Sequence, residues 1–538
     1  MSLELMLSNH FADCYPPCNR ACPANVDIQG YIAHIANGEY KKAIRLIKEK
    51  IALPVSIGRI CPQLCGEKCY RNEIEEKLMI NPLKRFVAEK DIESLNPYIP
   101  EIEEEKGIKV AVVGSGPAGL SAAYYLRIKG YQVTIFEKLP ETGGMLRYGI
   151  PAYRLPKELL DKEIDIIRKM GVEIKTRVEF GKDVTVEELK AQGYKAFFVG
   201  IGAQYDTTMG IPGEDANGSF RSIEFLRDFS LGKLPKIGDI CAVVGGGNTA
   251  MDVCRTLVRL GAKEVHIIYR RNKDAMPADP VEIREAEEEG VIFDFLRHPQ
   301  EVILDENGLA KGVKLIKMEL GEPDSSGRRR PVPVEGSEYI MELDAIVTAI
   351  GQKVDSDIVS YFSGMNTDKK GRILIEEDSM LTSVDGVFAG GDCVLGPSTV
   401  VESIATGRNA AEAIIRYLED GAVSGKPFEF FINKDDFRPV TSEDFAGEEK
   451  KPAQKLKHIS PDVRKKNFDA YEFTLTEEQV KQEAMRCMQC GCQELFDCKL
   501  KEYCTTYEIQ KDRYAGTFKD LVRDTSHPYM EINFNKCI

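Results

Sequence analysis

The chain of 538 residues is long enough for three or four domains with large cores, and it carries a formal net charge of −14. An acidic chain is repelled by phosphates, which excludes general nucleic-acid binding. No apolar run reaches membrane-spanning length, and the opening residues MSLELMLSNHFADC lack a basic stretch followed by an apolar core. We therefore expect a cytoplasmic protein without a membrane span.

Cysteine is the most informative residue type, because six of the 15 cysteines precede residue 70 and six follow residue 486. A disulfide scaffold is typical of short secreted domains, so binding of a metal or a cluster is favoured. Three prolines near the first cysteines argue against a regular helix there, and we expect a loop that folds the thiolates around a common centre. The first group has two spacings: Cys14-x3-Cys18-x3-Cys22-Pro and Cys61-Pro-x2-Cys65-x3-Cys69.

Short helices are predicted between these two spacings. Asp27 is a candidate N-cap, and residues 28–51 carry apolar side chains at helical intervals. Thiolates on loops joined by short helices predict an iron–sulfur domain over residues 1–104. A structural zinc site, which also uses cysteine pairs, is the alternative. Residues 96–107, NPYIPEIEEEKG, predict an acidic linker after this domain.

The stretch KVAVVGSGPAGLSAAYYLRIKGYQVTIFEK, residues 109–138, predicts a strand, a glycine turn, a helix and a second strand. Gly114, Gly116 and Gly119 have the GxGxxG spacing. The first two permit a tight turn close to a pyrophosphate, and the third permits close packing of the helix. The helix N-terminus offers N–H groups to the phosphates. Glu137 ends the second strand, where a carboxylate accepts hydrogen bonds from a ribose, so the stretch predicts a dinucleotide site.

Later segments are predicted to complete the same site. Gly144 would let a ring system or a phosphate approach the main chain, and Arg154 in the same loop is a candidate contact of the cofactor. A strand within residues 382–392 ends in Gly391 and Asp392, whose carboxylate suits a ribityl hydroxyl. The helix that begins near Ser398 would direct its N-terminal dipole to a flavin ring.

A second nucleotide-binding unit covers residues 239–271, DICAVVGGGNTAMDVCRTLVRLGAKEVHIIYRR. Its turn contains Gly245, Gly246 and Gly247, and Asn248 and Thr249 are candidate helix caps. The second strand ends in Arg270 and Arg271, at the position that Glu137 has in the first unit. A carboxylate would repel a 2′-phosphate, whereas arginines bind it in a bidentate manner, so this unit predicts NADPH.

Two units in one chain predict a relay of hydride from a nicotinamide to a flavin. The predicted fold class is α/β, with two Rossmann-like domains, of which the first is split by the second, and an N-terminal helical iron–sulfur domain. The first domain covers residues 105–204 and 346–420, and the inserted domain covers residues 205–345. Strands at 291–345 would complete the inserted domain, with residues 327–331 as a hairpin tip.

Residues 421–538 predict a wrapping segment or linker followed by a cysteine-rich tail. The tail spacing CxxC is suitable for a cluster, but zinc or free thiols are alternatives. The final residues NKCI are similar to the opening of a ferredoxin motif, and we expect the polypeptide to be a fragment of a longer one. The tail cysteines before this end are Cys487, Cys490, Cys492, Cys498 and Cys504.

These motifs together resemble the family of the glutamate synthase small subunit. Its relatives include the electron-input arm of dihydropyrimidine dehydrogenase and the large subunit of NADH-dependent ferredoxin:NADP oxidoreductase. The resemblance rests on CPANVDI, CPQLCGEKC, VVGSGPAGL, GGMLRYGIPAYRLPK, VVGGGNTAMD, YRR, MPA, AGGDC and GPSTVVESIATGR. It implies FAD in the first unit, NADPH in the second, [4Fe-4S] clusters in the N-terminal domain, and Arg154 as a catalytic residue close to flavin N5.

The candidate FAD residues are Gly114, Gly116, Pro117, Ala118, Gly119, Glu137, Lys138, Gly144, Leu146, Val178, Gly202, Gly391, Asp392 and Val401. The candidate NADPH residues are Gly245, Gly246, Gly247, Asn248, Thr249, Arg270, Arg271 and Gly351. The candidate cluster ligands are Cys14, Cys18, Cys22, Cys61, Cys65, Cys69, Cys487, Cys490, Cys492 and Cys498.

The cysteine pattern departs from this family. The usual opening CxxCxxxxCxxxCP lacks one cysteine here, and the second motif is CPxxC instead of CPxxxxC. The N-terminal domain has six cysteines, one fewer than this family uses for two clusters, so one cluster and two clusters are alternatives. Residues 483–490, EAMRCMQC, resemble the missing opening, and the tail either supplies those ligands or builds its own cluster.

The leading hypothesis is an electron-transfer enzyme in which NADPH reduces FAD and clusters carry single electrons to a partner subunit or domain. The same parts would also support the reverse reaction, reduction of NADP+ by a ferredoxin-like protein. A disulfide reductase would need a CxxC pair near the flavin, and Cys241, Cys254 and Cys393 provide none. A non-catalytic assembly subunit with zinc is a third class, which the two intact nucleotide motifs argue against.

Overall fold

The N-terminal part of the computed structural model is helical. The structure describes residues 13–233, 235–323, 329–421, 427–433, 439–510, 524–527 and 530–532. A 3-10 helix, Tyr70–Glu73, follows the fifth of six helices. These helices are α1 (Pro17–Arg20), α2 (Ile28–Ala36), α3 (Tyr40–Lys48), α4 (Pro54–Ile60), α5 (Leu64–Glu67) and α6 (Ile80–Ile92).

The short helix α1 corrects the expectation of a loop around the first cysteines, because it places Cys18 in a helical turn. Pro16 is its N-cap and Pro17 its first residue, where proline's missing N–H costs no hydrogen bond. The predicted N-cap of α2 is confirmed, since the Asp27 carboxylate accepts a hydrogen bond of 2.8 Å from the Gly30 N–H. Short helices therefore connect the cysteines, as the sequence predicts.

A parallel five-stranded sheet forms the first nucleotide-binding domain, in the order β16 (Val387–Ala389), β4 (Tyr194–Val199), β1 (Lys109–Val113), β2 (Gln132–Glu137) and β3 (Glu173–Thr176). β1 pairs with β2 and β4, and its residues 110–113 are buried. β16 comes from the far side of the second domain, so the first domain is split as predicted. Its elements are β1 (Lys109–Val113), α7 (Pro117–Ile128), β2 (Gln132–Glu137), α8 (Met145–Tyr148), α9 (Lys157–Lys169), β3 (Glu173–Thr176), α10 (Val186–Ala191) and β4 (Tyr194–Val199).

The inserted domain contains a second parallel sheet, in the order β6-β14-β7-β8-β9. The boundary predicted at residue 345 is wrong by a few residues, because β14 lies wholly in this sheet. The elements are β5 (Tyr205–Asp206), β6 (Ser219–Arg221), α11 (Ser222–Ser230), β7 (Ile240–Val244), α12 (Asn248–Arg259), β8 (Glu264–Tyr269), a 3-10 helix (Lys273–Ala275), α13 (Pro280–Glu288), β9 (Ile292–Phe295) and β14 (Ala345–Thr348).

An antiparallel sheet of four strands lies beside this parallel sheet. β11 pairs with three neighbours, and the predicted hairpin at 327–331 joins β11 to β12. Residues 329–331 already belong to β12, and the tip itself lies outside the described residues. The strands are β10 (Arg297–Leu304), β11 (Ala310–Pro323), β12 (Arg329–Pro333) and β13 (Tyr339–Glu342).

The chain then returns to the first domain and continues into the tail. In the described parts of the chain, no helix is both long and apolar enough to cross a membrane. The remaining elements are β15 (Gln352–Lys353), α14 (Ser356–Ser360), β16 (Val387–Ala389), α15 (Asp392–Leu395), α16 (Val400–Asp420), a 3-10 helix (Ser442–Phe445), α17 (Pro461–Arg464), α18 (Glu477–Ala484), α19 (Lys499–Thr506), β17 (Asp524–His527) and β18 (Met530–Ile532).

One hydrophobic core joins the helical N-terminus, the first domain and the tail. It contains Ile57 from α4, Leu120 from α7, Ile167 from α9 and Val480 from α18, each fully buried. The predicted linker 96–107 has no helix or strand, but the Glu103 N–H donates to the Ile128 carbonyl at 2.8 Å. The helical region is therefore packed against the first domain as part of one body.

A buried carboxylate locks α4 to α9. Glu163 accepts hydrogen bonds from the Val55 and Ser56 N–H groups at 2.6 and 2.9 Å, and from the Ser56 hydroxyl at 2.6 Å. These N–H groups lie in the first turn of α4, where helical N–H groups have no partner within the helix. Burial raises the pKa of Glu163 to about 7, although the hydrogen bonds from Ser56 and Val55 oppose the shift.

Candidate cofactor site

A cavity of about 860 Å³ lies between the two nucleotide-binding units and is lined by both glycine turns. Most of the predicted cofactor residues lie in its wall, whereas Gly119, Leu146 and Val401 do not. The predicted residues in the wall are Gly114, Gly116, Pro117, Ala118, Glu137, Lys138, Gly144, Arg154, Val178, Gly202, Gly245, Gly246, Gly247, Asn248, Thr249, Arg270, Arg271, Gly351, Gly391 and Asp392.

The first glycine turn has the close approaches that the sequence predicts. Gly114 has φ +97°, and a Cβ there would lie 2.6 Å from the Gly200 carbonyl oxygen. A Cβ on Gly119 would lie 2.0 Å from the Gly114 carbonyl oxygen, so only glycine lets α7 start this close to β1. A Cβ on Gly116 would meet nothing closer than 4.0 Å, which leaves this part of the turn open to a ligand.

Glu137 lies at the end of β2, in the wall of the cavity, as predicted. One carboxylate oxygen accepts hydrogen bonds from the Ser115 N–H at 3.0 Å and the Ser115 hydroxyl at 2.6 Å. The other accepts from the Leu139 N–H at 2.8 Å. These donors fix the carboxylate, and its further acceptor capacity is available to a ribose diol.

Asp392 approaches the cavity from the returning segment. Its carboxylate accepts hydrogen bonds from the Ser398 N–H and hydroxyl at 3.2 and 2.7 Å. Burial raises the pKa of Asp392, and the hydrogen bonds from Ser398 oppose this shift. Thr399 caps α16 in a reciprocal capping box with Glu402, and Thr399 and Val400 line the cavity. The N-terminus of α16 therefore faces the cavity, as the sequence predicts.

The second glycine turn approaches the other side of the cavity. A Cβ on Gly245 would lie 2.2 Å from the Ala349 carbonyl oxygen, whereas one on Gly247 would meet no atom within 4 Å. The predicted capping role of Asn248 and Thr249 is wrong, because Gly247 is the N-cap and α12 starts at Asn248. The Asn248 side chain instead accepts a hydrogen bond of 2.8 Å from the Asp279 N–H, which ties α12 to the start of α13.

A basic cluster lies where β8 ends. Arg270 and Arg271 line the cavity together with His298, and Arg330 lies in an adjoining pocket. Burial and the charge of Arg270 lower the pKa of His298. Within the described ranges, Arg270 has no acidic partner at ion-pair distance, so its guanidinium is available to an anion.

Arg154 joins the two units across the cavity. Its guanidinium donates to both oxygens of Asp252 on α12, at 2.8 and 2.9 Å, and to Glu282 on α13, at 2.9 Å. Burial raises the pKa of Asp252, and the charge of Arg154 opposes this shift. The cation predicted for the flavin site is thus oriented by carboxylates of the neighbouring domain.

One cysteine of the N-terminal group lies between two residues of the cavity wall. Cys61 is the C-cap of α4, and the residues on either side of it, Ile60 and Pro62, line the cavity. Cys65 is buried, which raises the pKa of its thiol to about 12 although Lys84 opposes the shift. Cys22 and Cys61 are among the groups whose charges act on this thiol.

Comparison with known proteins identifies the protein family. Residues 108–408, more than half of the chain, match the pyridine nucleotide-disulphide oxidoreductase model. The chain belongs to this family. Residues 8–95 match a second model, described as dihydropyrimidine dehydrogenase domain II with a 4Fe-4S cluster. The oxidoreductase fold and the N-terminal iron–sulfur domain predicted from the sequence are therefore confirmed.

Several relatives of this oxidoreductase have curated names. The NADPH-Fe(3+) oxidoreductase subunit beta of Geobacter sulfurreducens is 38% identical over 90% of this chain and 76% of its own length. The glutamate synthase [NADPH] small chain of Escherichia coli is 36% identical over 75% of this chain and 89% of its own length. The predicted resemblance to the glutamate synthase small subunit is thus confirmed.

A longer relative and a solved structure extend the comparison. The NADP(+)-dependent formate dehydrogenase subunit beta of Moorella thermoacetica is 45% identical over 76% of this chain, which spans 60% of that relative. FprA from Mycobacterium tuberculosis in complex with NADPH has a TM-score of 0.50 and 22% identity, over 61% of this chain and 88% of its own. At this identity the likeness shows the fold alone.

The oxidoreductase is an NADPH-dependent enzyme whose cofactors are FAD, NADPH and a [4Fe-4S] cluster. The cavity fits the two nucleotides, because each glycine turn leaves open backbone where a Cβ would intrude and each is followed by a helix N-terminus. When bound, FAD accepts a hydride and releases electrons one at a time.

Sequence reasoning missed several polar residues in the cavity wall. Ser115 fixes Glu137, Asp252 orients Arg154, and Gln352 donates to the Thr249 hydroxyl at 3.3 Å. Asp252 is the last residue of the motif VVGGGNTAMD, and this position could have indicated a functional role. The ion pair with Arg154 was not predictable, because the two residues are 98 positions apart.

Cysteines outside the terminal groups take no part in the site. Cys241, Cys254 and Cys393 are buried, and none of them lines the cavity. No disulfide joins cysteines in the described part of the chain. The redox-active pair that a disulfide reductase requires is therefore absent from the described cavity wall.

Among the described residues, no group of three or more histidine, cysteine, aspartate or glutamate side chains is placed to hold a single metal ion.

Proposed function

We propose that the chain passes electrons from NADPH through FAD to iron–sulfur clusters near its N-terminus, and from there to a partner subunit or domain. The observation that carries the proposal is the position of Cys61, whose two neighbours line the cavity between the nucleotide-binding units. A cluster held there would adjoin the flavin site. The lock between Glu163 and α4 would hold this segment at a fixed distance from the cavity.

The residues at each end of the cavity have distinct roles in this proposal. Glu137 and Asp392 bind hydroxyl groups of FAD, and the first glycine turn binds its pyrophosphate. Arg270 and Arg271 bind the 2′-phosphate that distinguishes NADPH from NADH. Arg154, oriented by Asp252 and Glu282, lies close to the flavin and acts as the catalytic residue.

The proposed direction is oxidation of NADPH, with a redox partner as acceptor. Relatives are named as subunits or chains, and the name of one of them is NADPH-Fe(3+) oxidoreductase subunit beta. We also propose a cytoplasmic location, where thiols remain reduced, because the described cysteines form no disulfides.

Anaerobic reduction with NADPH tests the electron path. We expect NADPH to bleach the flavin absorbance and to produce the electron paramagnetic resonance signal of reduced clusters. In Cys61→Ala, the flavin should still bleach, but the cluster signal should be lost. Cys241→Ala, which removes a buried thiol of the second domain, is the matched control and should behave as the wild type.

Dithionite provides the positive control that the clusters can be reduced at all. If NADPH bleaches the flavin of the wild type and the dithionite-reducible clusters remain oxidised, the proposed direction is wrong. Reduction of NADP+ by the dithionite-reduced protein would then support the reverse reaction.

A further inference from the structure

The C-terminal tail lies directly against the first cysteines of the chain. Asp13 and Gly491 form a parallel β-bridge, and the Cys492 N–H donates to the Asp13 carbonyl at 2.7 Å. The Gln29 side chain accepts from the Gly491 N–H at 2.7 Å and donates to its carbonyl at 3.2 Å. A Cβ on Gly491 would lie 2.6 Å from Pro16 Cδ, so the two segments are in close contact.

A second contact anchors the tail beside the last N-terminal cysteine. Arg486 lies just before Cys487, and its guanidinium pairs with Glu75 at 3.1 Å and donates to the Glu76 carbonyl at 2.6 Å. Glu75 also pairs with Arg71, two residues after Cys69, at 2.8 Å. Arg486 is 2% exposed, so this anchor is interior.

These contacts bring cysteines from the two ends of the chain into one place. Cys18, Cys69 and Cys487 pack against the same hydrophobic core. In the tail, Cys487 directly follows Arg486, and Cys490 directly precedes Gly491, the residue that bridges to Asp13. The anchored part of the tail therefore carries both thiols against the segment of the N-terminal cysteines.

A second set of cysteines is joined in the same manner. Cys14 and Cys504 lie in a small core with Phe430 and Ile432, and the Cys14 N–H donates to the Ile432 carbonyl at 3.0 Å. The Cys498 Sγ accepts a hydrogen bond of 3.5 Å from the Lys501 N–H, and the Lys501 ammonium donates to the hydroxyl of Tyr15, the neighbour of Cys14, at 3.5 Å.

We propose that the tail and the N-terminal segment jointly build two [4Fe-4S] clusters, each with ligands from both ends of the chain. One is held by Cys18, Cys69, Cys487 and Cys490, and the other by Cys14, Cys492, Cys498 and Cys504. The inference rests on the proposed function, which requires clusters. It adds which thiols bind the same cluster. Four thiolates in a partly buried, apolar setting are the donor set of such a cluster.

Shared ligands give the two ends of the chain one electron path. Three N-terminal cysteines remain, and one of them, Cys61, lies between two residues that line the cavity; the other two are Cys22 and Cys65. The two clusters with ligands from both ends of the chain would continue the electron path from these cysteines into the tail. Electrons would leave the protein where the tail is exposed, as at Phe496, which is 84% exposed.

Iron counts in a double-mutant cycle test this inference on anaerobically purified full-length protein. We expect Cys18→Ala and Cys487→Ala each to lose about four irons per FAD and the same resonance signal. If the two thiols share one cluster, the double variant should also lose about four irons. An additive loss of about eight irons would overturn the proposal, because the tail would then hold its own cluster.

Several readouts separate this inference from the proposed function. Wild-type protein that contains zinc and no iron would contradict both, whereas iron with additive losses would contradict only the shared ligands. The flavin content and its bleaching by NADPH report whether each variant is folded. Cys241→Ala is the matched control and should lose no iron.

A second measurement does not depend on the folding of variants. Ferricyanide oxidises cluster thiolates in pairs to disulfides as the irons are released, each thiolate losing one electron. We expect peptide mapping of the oxidised wild type to show bridges between the segment 13–69 and the segment 487–504. Bridges confined to either segment would overturn the proposal.

Discussion

The two nucleotide-binding units have the same strand–turn–helix–strand plan, but they differ at the third position of the turn and at the end of the second strand. In the first unit, Gly119 is in close contact with the Gly114 carbonyl, whereas the second unit holds a fully buried Ala250 at this position. The first unit ends in a carboxylate fixed by Ser115, and the second in two arginines. In the proposed assignment, one backbone plan binds FAD in the first unit and NADPH in the second because its end groups differ.

The two units also differ in what they support. The first unit shares its core with the cluster-binding helices, which are locked by Glu163. The second unit holds Arg255, fully buried and paired with Glu282, Glu285 and Glu289 on or beside α13. The tail adds Arg464 to this network, at 2.9 Å from Glu289. The first unit therefore packs against the helices that carry the N-terminal cysteines, whereas the second is joined to the tail by buried ion pairs.

The largest effect is expected at the third position of the turn, where the first unit has Gly119 and the second has Ala250. Gly119→Ala places a Cβ about 2 Å from a carbonyl oxygen, so α7 must move away from the pyrophosphate site. Overpacking of this kind costs about 1–3 kcal/mol or more, and we expect FAD occupancy to fall at least about tenfold. The measurement is the ratio of FAD to protein after purification.

The matched control is Ala250→Gly in the second unit. Glycine in a helix costs about 1 kcal/mol, but it brings no clash, so both nucleotides should still bind. Normal FAD content in Gly119→Ala would show that the close approach of helix and turn is not required.

An intermediate effect is expected at the arginines that end β8. Arg270→Gln with Arg271→Gln removes two charge-assisted partners of a 2′-phosphate, which together contribute about 1.5–3 kcal/mol because solvent screens the exposed Arg270. We expect the KM for NADPH to rise about 10- to 100-fold, with little change in the KM for NADH. Steady-state kinetics with both nucleotides provide the measurement.

Arg284→Gln serves as the control for this pair, because Arg284 is an exposed arginine on α13 outside the cavity wall. It should leave both KM values unchanged. An equal rise for NADPH and NADH in the double variant would place the arginines away from the 2′-phosphate.

The smallest effect is expected at the lock between α4 and α9. The pKa of Glu163 is raised from 4.5 to about 7 in the folded chain, so the folded state binds more protons than the unfolded state between these values. Its stabilising contribution is complete below pH 4.5 and is lost as the pH rises through 7. Glu163→Gln removes this dependence.

Thermal unfolding across pH 5 to 8 measures the difference. We expect the Tm of the wild type to fall by about 2–4 °C relative to Glu163→Gln over this range. Glu158→Gln, at an exposed position of the same helix, should keep the pH profile of the wild type. Parallel profiles for wild type and Glu163→Gln would mean that Glu163 does not bind a proton in this range.

The sequence by itself determined both nucleotide-binding units, because each depends on contacts within about 30 residues of chain. Short apolar runs, glycines at fixed spacing and the residue that ends the second strand predict the turns and the split domain. Of the predicted cofactor residues, 20 lie in the cavity wall. The sequence predicted the N-cap of α12 less well. Asn248 and Thr249 are suitable capping residues, but the turn geometry makes Gly247 the cap.

Only the tertiary structure decided which distant residues meet. The partners of Arg154 lie on another domain, and Cys14 and Cys18 meet cysteines more than 400 positions away because the tail pairs with residue 13. The spacing of residues along the chain describes only local geometry. It therefore does not predict that the tail contacts the N-terminal segment. The contact of the two ends arises from packing around a common core, and no local pattern encodes it.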